Sequence, residues 1–228
     1  MQQMIKLPFK HKMMEKKPNF ILMADVIDSR KKNQEMLMKE FKEIVNKVNK
    51  IAKNEIISPM TITLGDEFQG VVDDLKSAIV VVTLIEEEII QQQANFKLRY
   101  VIVEGEIDTP INKKSAHEML GSGLTSARNL LGTSKQSNSR FFIELNENNK
   151  SKVLADIFSI YQRIIDDWKI AKDYQIISAF IQLKDYKLVA EKLDKDKSLM
   201  WRREKTMRIK DYMSVKNIMK YIGENKNV

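Results

Sequence analysis

The sequence predicts an α+β sandwich followed by an all-helical unit, and three observations carry that prediction. First, β-prone apolar runs alternate with stretches of 3.6-residue period in the order strand, helix, hairpin, helix, strand, helix, strand. That order suits helices packed on one face of a mainly antiparallel sheet. Second, the strand signal stops at the polar run NENNK, residues 146–150, which marks a domain boundary. Third, the region beyond it contains a short helix, a polar turn and a strongly basic second helix, which is helix-turn-helix spacing. The expected organisation is a leader over 1–17, a first domain over 18–148 and a helical domain over 149–228.

The leader, MQQMIKLPFKHKMMEKK, is basic and rich in Met but has no continuous apolar core, so it does not read as a signal peptide. The first strand covers 19–26 and ends in Asp25-Val26-Ile27-Asp28-Ser29-Arg30, where Asp28 or Ser29 is placed to cap the helix that follows. That helix puts Leu37, Phe41, Ile44, Val45, Val48 and Ile51 on one face and lysines and glutamates on the other. Two β-prone runs, 61–64 and 68–72, then flank Gly65-Asp66-Glu67 as a tight hairpin. Asp73-Asp74 opens a second helix, where acidic side chains suit the positive end of the dipole. Residues 96–107 form a long strand in which Leu98, Tyr100 and Ile102 alternate with Arg99, Val101 and Val103. Gly121-Ser122-Gly123 opens a third helix, and Phe141–Leu145 is a last strand.

Composition excludes several classes of function. The chain has 228 residues with 43% hydrophobic and 31% charged, ordinary for a globular protein. It has no cysteine and two histidines, which removes disulfides, thiolate metal sites and a His-rich zinc site, and agrees with a cytoplasmic setting. The longest apolar stretch, 78–85, is far too short to span a membrane. A net charge of +8 permits an anionic partner without specifying one.

Asp66 sits at a hairpin tip between core-like segments, and Asp25 ends another apolar run. An ionised carboxylate out of water needs a partner. Two strand-end aspartates side by side would repel each other unless a cation lay between them, and Mg²⁺ or Mn²⁺ takes such ligands. The other reading is that Gly-Asp is turn chemistry and Asp25 a strand-terminating cap. Ser29 and Arg30 add a hydroxyl and a cation nearby, and Gly121-Ser122-Gly123 before a helix suits a phosphate on backbone N–H groups. In the tail, Lys195, Lys197, Arg202, Arg203, Lys205 and Arg208 make the second helix of the motif a candidate DNA-recognition helix.

Taken together, Asp25-Val26-Ile27-Asp28-Ser29-Arg30, Thr63-Leu64-Gly65-Asp66-Glu67-Phe68-Gln69-Gly70 and the basic C-terminal motif resemble the SatD family of bacterial proteins. More distantly, the first domain is similar to class III nucleotidyl cyclases. The cyclase resemblance implies a ferredoxin-like sheet, a head-to-tail homodimer with its site at the interface, and Asp25 and Asp66 as metal-binding positions. It also aligns Gly123-Leu124-Thr125-Ser126-Ala127-Arg128 with a nucleotide-contacting segment. Three positions depart from the cyclase pattern: Thr125 for an asparagine, Asn129 for an arginine with Arg128 one step away, and Ile62 at the base-selecting position. The implied function is a nucleotide-responsive DNA-binding regulator that holds Mg²⁺ or Mn²⁺ with a nucleoside triphosphate at a dimer interface. The alternatives are an active metal-dependent cyclase-type enzyme, and a degenerate domain kept as a dimerisation platform.

Overall fold

Burial of alternating apolar residues along five strands produces one sheet with a core on each face. The computed structural model describes residues 18–225, so the leader over 1–17 lies outside the described residues. The strands are β1 (Asn19–Val26), β2 (Ile56–Ile62), β3 (Glu67–Val72), β4 (Leu98–Gly105) and β5 (Phe141–Glu144). They lie in the order β2-β3-β1-β4-β5, antiparallel except for the parallel β4–β5 pair. The expected α+β class and mainly antiparallel sheet are borne out.

Helices do not all lie on one face, however. In β1 and β4, Leu22, Ala24, Val26, Leu98, Tyr100 and Ile102 face α1 (Gln34–Ile51) and α2 (Leu75–Gln91). The intervening Ile21, Met23, Val101 and Val103 face α3 (Ser122–Thr133). A strand buried on both sides has no polar face to betray which side a helix will take. The hairpin is also longer than expected: β2 begins at Ile56, and residues 63–66 make the turn, closed by Thr63 N–H donating to the Glu67 carbonyl at 2.8 Å. Gly65 takes the left-handed φ of 82° that a side chain would resist. Asn33 caps α1, accepting from the Met36 N–H at 3.0 Å, while Asp28 is left-handed and leads into a 3-10 turn at Ser29–Lys31. Asp74 caps α2 through the Ser77 N–H, as its position predicts.

The C-terminal helices are α4 (Asn148–Asp166), α5 (Ile170–Leu183), α6 (Tyr186–Lys192), α7 (Lys197–Thr206) and α8 (Ile209–Glu224). Past residue 148 the secondary structure becomes all-helical, but the apolar core continues. Phe141 of β5 stacks on Phe158 of α4 at 4.8 Å, and Tyr161 of α4 stacks on Tyr212 of α8 at 5.6 Å. The centre of this arrangement is α2, which is covered on nearly every side. Its consecutive acids Glu86, Glu87 and Glu88 are all buried. A turn of 100° per residue aims each at a different neighbour. Glu86 binds Arg140 and the Tyr100 hydroxyl, Glu87 accepts from Tyr212 and Lys216 of α8, and Glu88 pairs with Lys47 of α1. Among the described residues no helix is long and apolar enough to cross a membrane.

Candidate functional site

The strand register brings Asp25 and Asp66 together at one end of the sheet. Asp25 lies directly across from Glu67, and the Val26 N–H donates to the Asp66 carbonyl at 2.9 Å. On its other side Asp25 lies across from Arg99 of β4. Glu67, Asp25 and Arg99 therefore form a row on the face covered by α3. Two acids opposite each other repel, so the row holds only with cations at its flanks.

Those cations come from the chain itself. Arg99 Nη1 lies 3.0 Å from both Asp25 oxygens, and Lys135 Nζ is 3.7 Å from Oδ2. Arg128 of α3 reaches Glu67 Oε1 at 3.0 Å, and the Thr63 hydroxyl donates to the same oxygen at 3.3 Å. Asp25 is 6% exposed. Burial raises its pKa, and the Arg99 and Lys135 charges oppose that shift while Glu67 adds to it. No cation adjoins Asp25 in the β1 sequence, and the fold supplies one from seventy-four residues away. Arg99 left a trace in the sequence, as the one cation on the alternate positions of a strand otherwise filled by Val101 and Val103.

A divalent ion does not fit this arrangement as it stands. Both Asp25 oxygens are engaged by a guanidinium, and Glu67 is engaged by another. Among the described residues no three His, Cys, Asp or Glu converge as a metal cage would require.

Beside the row, a cleft of about 330 Å³ runs along the start of α3, with Thr63, Gly121, Thr125, Arg128 and Asn129 among its walls. Three of the expected nucleotide-contacting residues, Gly121, Thr125 and Arg128, thus share one cavity. Ser122 is exposed at the first turn of α3. Ser29 and Arg30 occupy the 3-10 turn after β1 and do not line this cleft. The glycines have a packing reason. A Cβ on Gly123 would come within 2.9 Å of the Gly105 Cα, so α3 crosses β4 backbone on backbone. The Gly123 N–H is spent on the Glu106 carbonyl at 3.0 Å, and the Thr125 hydroxyl turns back to the Gly121 carbonyl at 3.3 Å. Ile62 is partly buried and packs against the core beneath the sheet.

At the other end of the chain, α6 and α7 cross through buried Val189, Ala190 and Met200, with Leu193 partly buried at the turn. Asp194 takes a left-handed φ of 50°, a conformation that Asp tolerates better than most residues and that a glycine commonly fills in such turns. Lys195, Lys197, Arg202 and Lys205 are exposed, and Lys205 Nζ sits 3.6 Å over the Trp201 ring. Arg203 instead turns inward to Asp173 of α5. The basic helix stops at Thr206, and Arg208, left-handed in the link to α8, pairs with Asp211 at 3.0 Å.

Solved structures of nucleotidyl cyclases are similar to part of the chain. A bacterial light-regulated adenylyl cyclase is similar at 15% identity and a TM-score of 0.38, over 55% of this chain and 74% of that one. The guanylyl cyclase Cya2 is similar at 13% identity and a TM-score of 0.34, over 55% and 74%. The catalytic core of a rhodopsin-guanylyl cyclase with converted specificity, in complex with ATPαS, is similar at 14% identity and a TM-score of 0.30, over 51% and 72%. No curated protein matches the chain. The SatD family model matches residues 20–222, from the first strand to the last helix, and the chain belongs to the SatD family.

Proposed function

We propose that this protein is a DNA-binding regulator that contacts DNA through α7, with the sheet domain holding two copies in register. The observation that carries the reading is the division of the α6–α7 pair. Val189, Ala190 and Met200 are buried between the helices, while Lys195, Lys197, Arg202 and Lys205 face outward. An outward cationic face on the second helix of such a pair suits phosphate contact in the major groove. Each neutralised phosphate contributes about 0.9 to the slope of log affinity against log salt. Lys197→Ala with Arg202→Ala is therefore expected to flatten that slope by about 1.8. Among the described residues neither side chain holds an ion pair, so the fold should not suffer. Fluorescence anisotropy with genomic fragments over a salt series measures it, and an unchanged slope would count against α7 as the contact.

A second reading adds a nucleoside triphosphate as the signal, bound in the α3 cleft with its phosphates beside the Arg128 guanidinium. The gathering of Gly121, Thr125 and Arg128 around one cavity favours it. Turnover is not part of the proposal, since Ile62 has no group to hydrogen-bond a base and the Thr125 hydroxyl is already engaged. On this reading, triphosphate at ~100 times its dissociation constant stabilises the fold by ~2.7 kcal/mol. Arg128→Ala then abolishes that melting shift, because the cleft loses its guanidinium. Flat melting curves across ATP, GTP, CTP and UTP would leave the sheet domain as a dimerisation platform alone.

A further inference from the structure

A separate cleft opens where the ends of β1 and β4 meet the α4–α5 junction, and none of its lining residues belongs to the sites above. Its volume is about 340 Å³, within the range of small-molecule sites. Phe96, Trp168 and Tyr174 contribute aromatic side chains to its lining. Trp168 is fixed in place, because its indole N–H donates to the Met207 carbonyl at 2.9 Å. Tyr174 is 6% exposed, and among the described residues its hydroxyl has no hydrogen-bond partner. Burial pushes that phenol up to about 12, with the nearby Glu86 charge adding to the shift, so it remains a proton donor at any physiological pH.

The rim is cationic. Among the described residues Lys169, which is exposed, forms no ion pair, and the Lys32 ammonium donates to the Asn95 amide oxygen at 3.3 Å. Lys97 shares Asp166 with Arg140, at 2.9 and 3.1 Å. The acids of the cleft are thus already answered: Asp166 by those two cations, and Asp28 by Lys31 at 3.1 Å. Three aromatic residues in the lining, an unused phenol donor and ammonium groups at the rim together describe a ligand with a planar ring and one negative charge. We propose that this cleft binds a small aromatic carboxylate, its ring against Trp168 and its carboxylate held by the Tyr174 hydroxyl and the Lys169 ammonium.

The chain has two tryptophans, Trp168 and the exposed Trp201, so Trp201→Phe leaves the cleft tryptophan as the sole reporter. Titrating this variant with 4-nitrobenzoate is expected to quench its fluorescence with saturation. The uncharged 4-nitrotoluene, with the same ring, should bind about tenfold more weakly, the worth of one charge-assisted hydrogen bond. Lys169→Glu, at an exposed position that the fold does not depend on, should weaken 4-nitrobenzoate by at least about tenfold, and Tyr174→Phe should weaken it as well. A quench that rises linearly without saturating would overturn the proposal, as would one that Lys169→Glu and Tyr174→Phe leave unchanged. Because the readout involves no DNA and no nucleotide, its failure would leave the proposed function of α7 untouched.

Discussion

Arg140→Met is expected to be the most damaging single substitution in the chain, lowering stability by about 3–5 kcal/mol. Arg140 is 3% exposed and sits between the sheet and the helical unit. Its two terminal nitrogens each lie 3.0 Å from a Glu86 oxygen, one of them also donates to the Leu98 carbonyl at 2.8 Å, and the other pairs with Asp166 at 3.1 Å. Burial works against the charge, but the Glu86 carboxylate and its hydrogen bonds overcome it and raise the guanidinium pKa. Removing Arg140 leaves Glu86 buried beside Tyr100 with no cation, and the uncompensated charge, more than the lost attraction, sets the cost. For a chain of this size the loss corresponds to a fall in melting temperature of roughly 10 °C. Urea unfolding of the single variants and of Arg140→Met with Glu86→Gln would separate the two contributions. The double variant should recover part of the loss, since the stranded charge is gone. A single-variant loss below ~1 kcal/mol would mean that the pair behaves like an exposed ion pair.

Arg99→Met is expected to cost a comparable amount, with a pH dependence set by Asp25. Without Arg99, Asp25 keeps only Lys135 at 3.7 Å and faces Glu67 across the strands. Burial already raises the Asp25 pKa with Arg99 present, so its loss drives the carboxyl further up. A carboxyl with a raised folded pKa contributes its full stability below its unfolded value and loses that contribution as pH rises through the folded value. The deficit of the variant relative to wild type should therefore be greatest at neutral pH and shrink as pH falls towards the carboxylate range. Paired denaturation curves over that range test it. A deficit that is the same at every pH would show that Arg99 acts by packing, not by charge.

Local pattern determined much of this protein. The period of α1 is explicit in Leu37, Phe41, Ile44, Val45 and Val48, and Asp74 announces the start of α2 because a capping side chain acts within three residues. The α6–α7 pair is equally legible, down to an unusual residue at the turn, Asp194. The pairing of Asp25 with Arg99 was not, because a cross-strand neighbour depends on register and register is a property of the assembled sheet. The same holds for Gly121 and Gly123: a glycine pair ahead of a helix looks alike whether it cradles a phosphate or lets α3 lie against Gly105. Only packing distinguishes them. The side of the sheet that α3 covers was likewise open, since Ile21 and Leu22 are equally apolar and both faces of β1 are buried. Finally, Glu86, Glu87 and Glu88 look in sequence like a solvated helix end. Tertiary structure makes them three buried anchors, because only a helix enclosed by α1, the sheet and α8 can offer each carboxylate its own cation or hydroxyl.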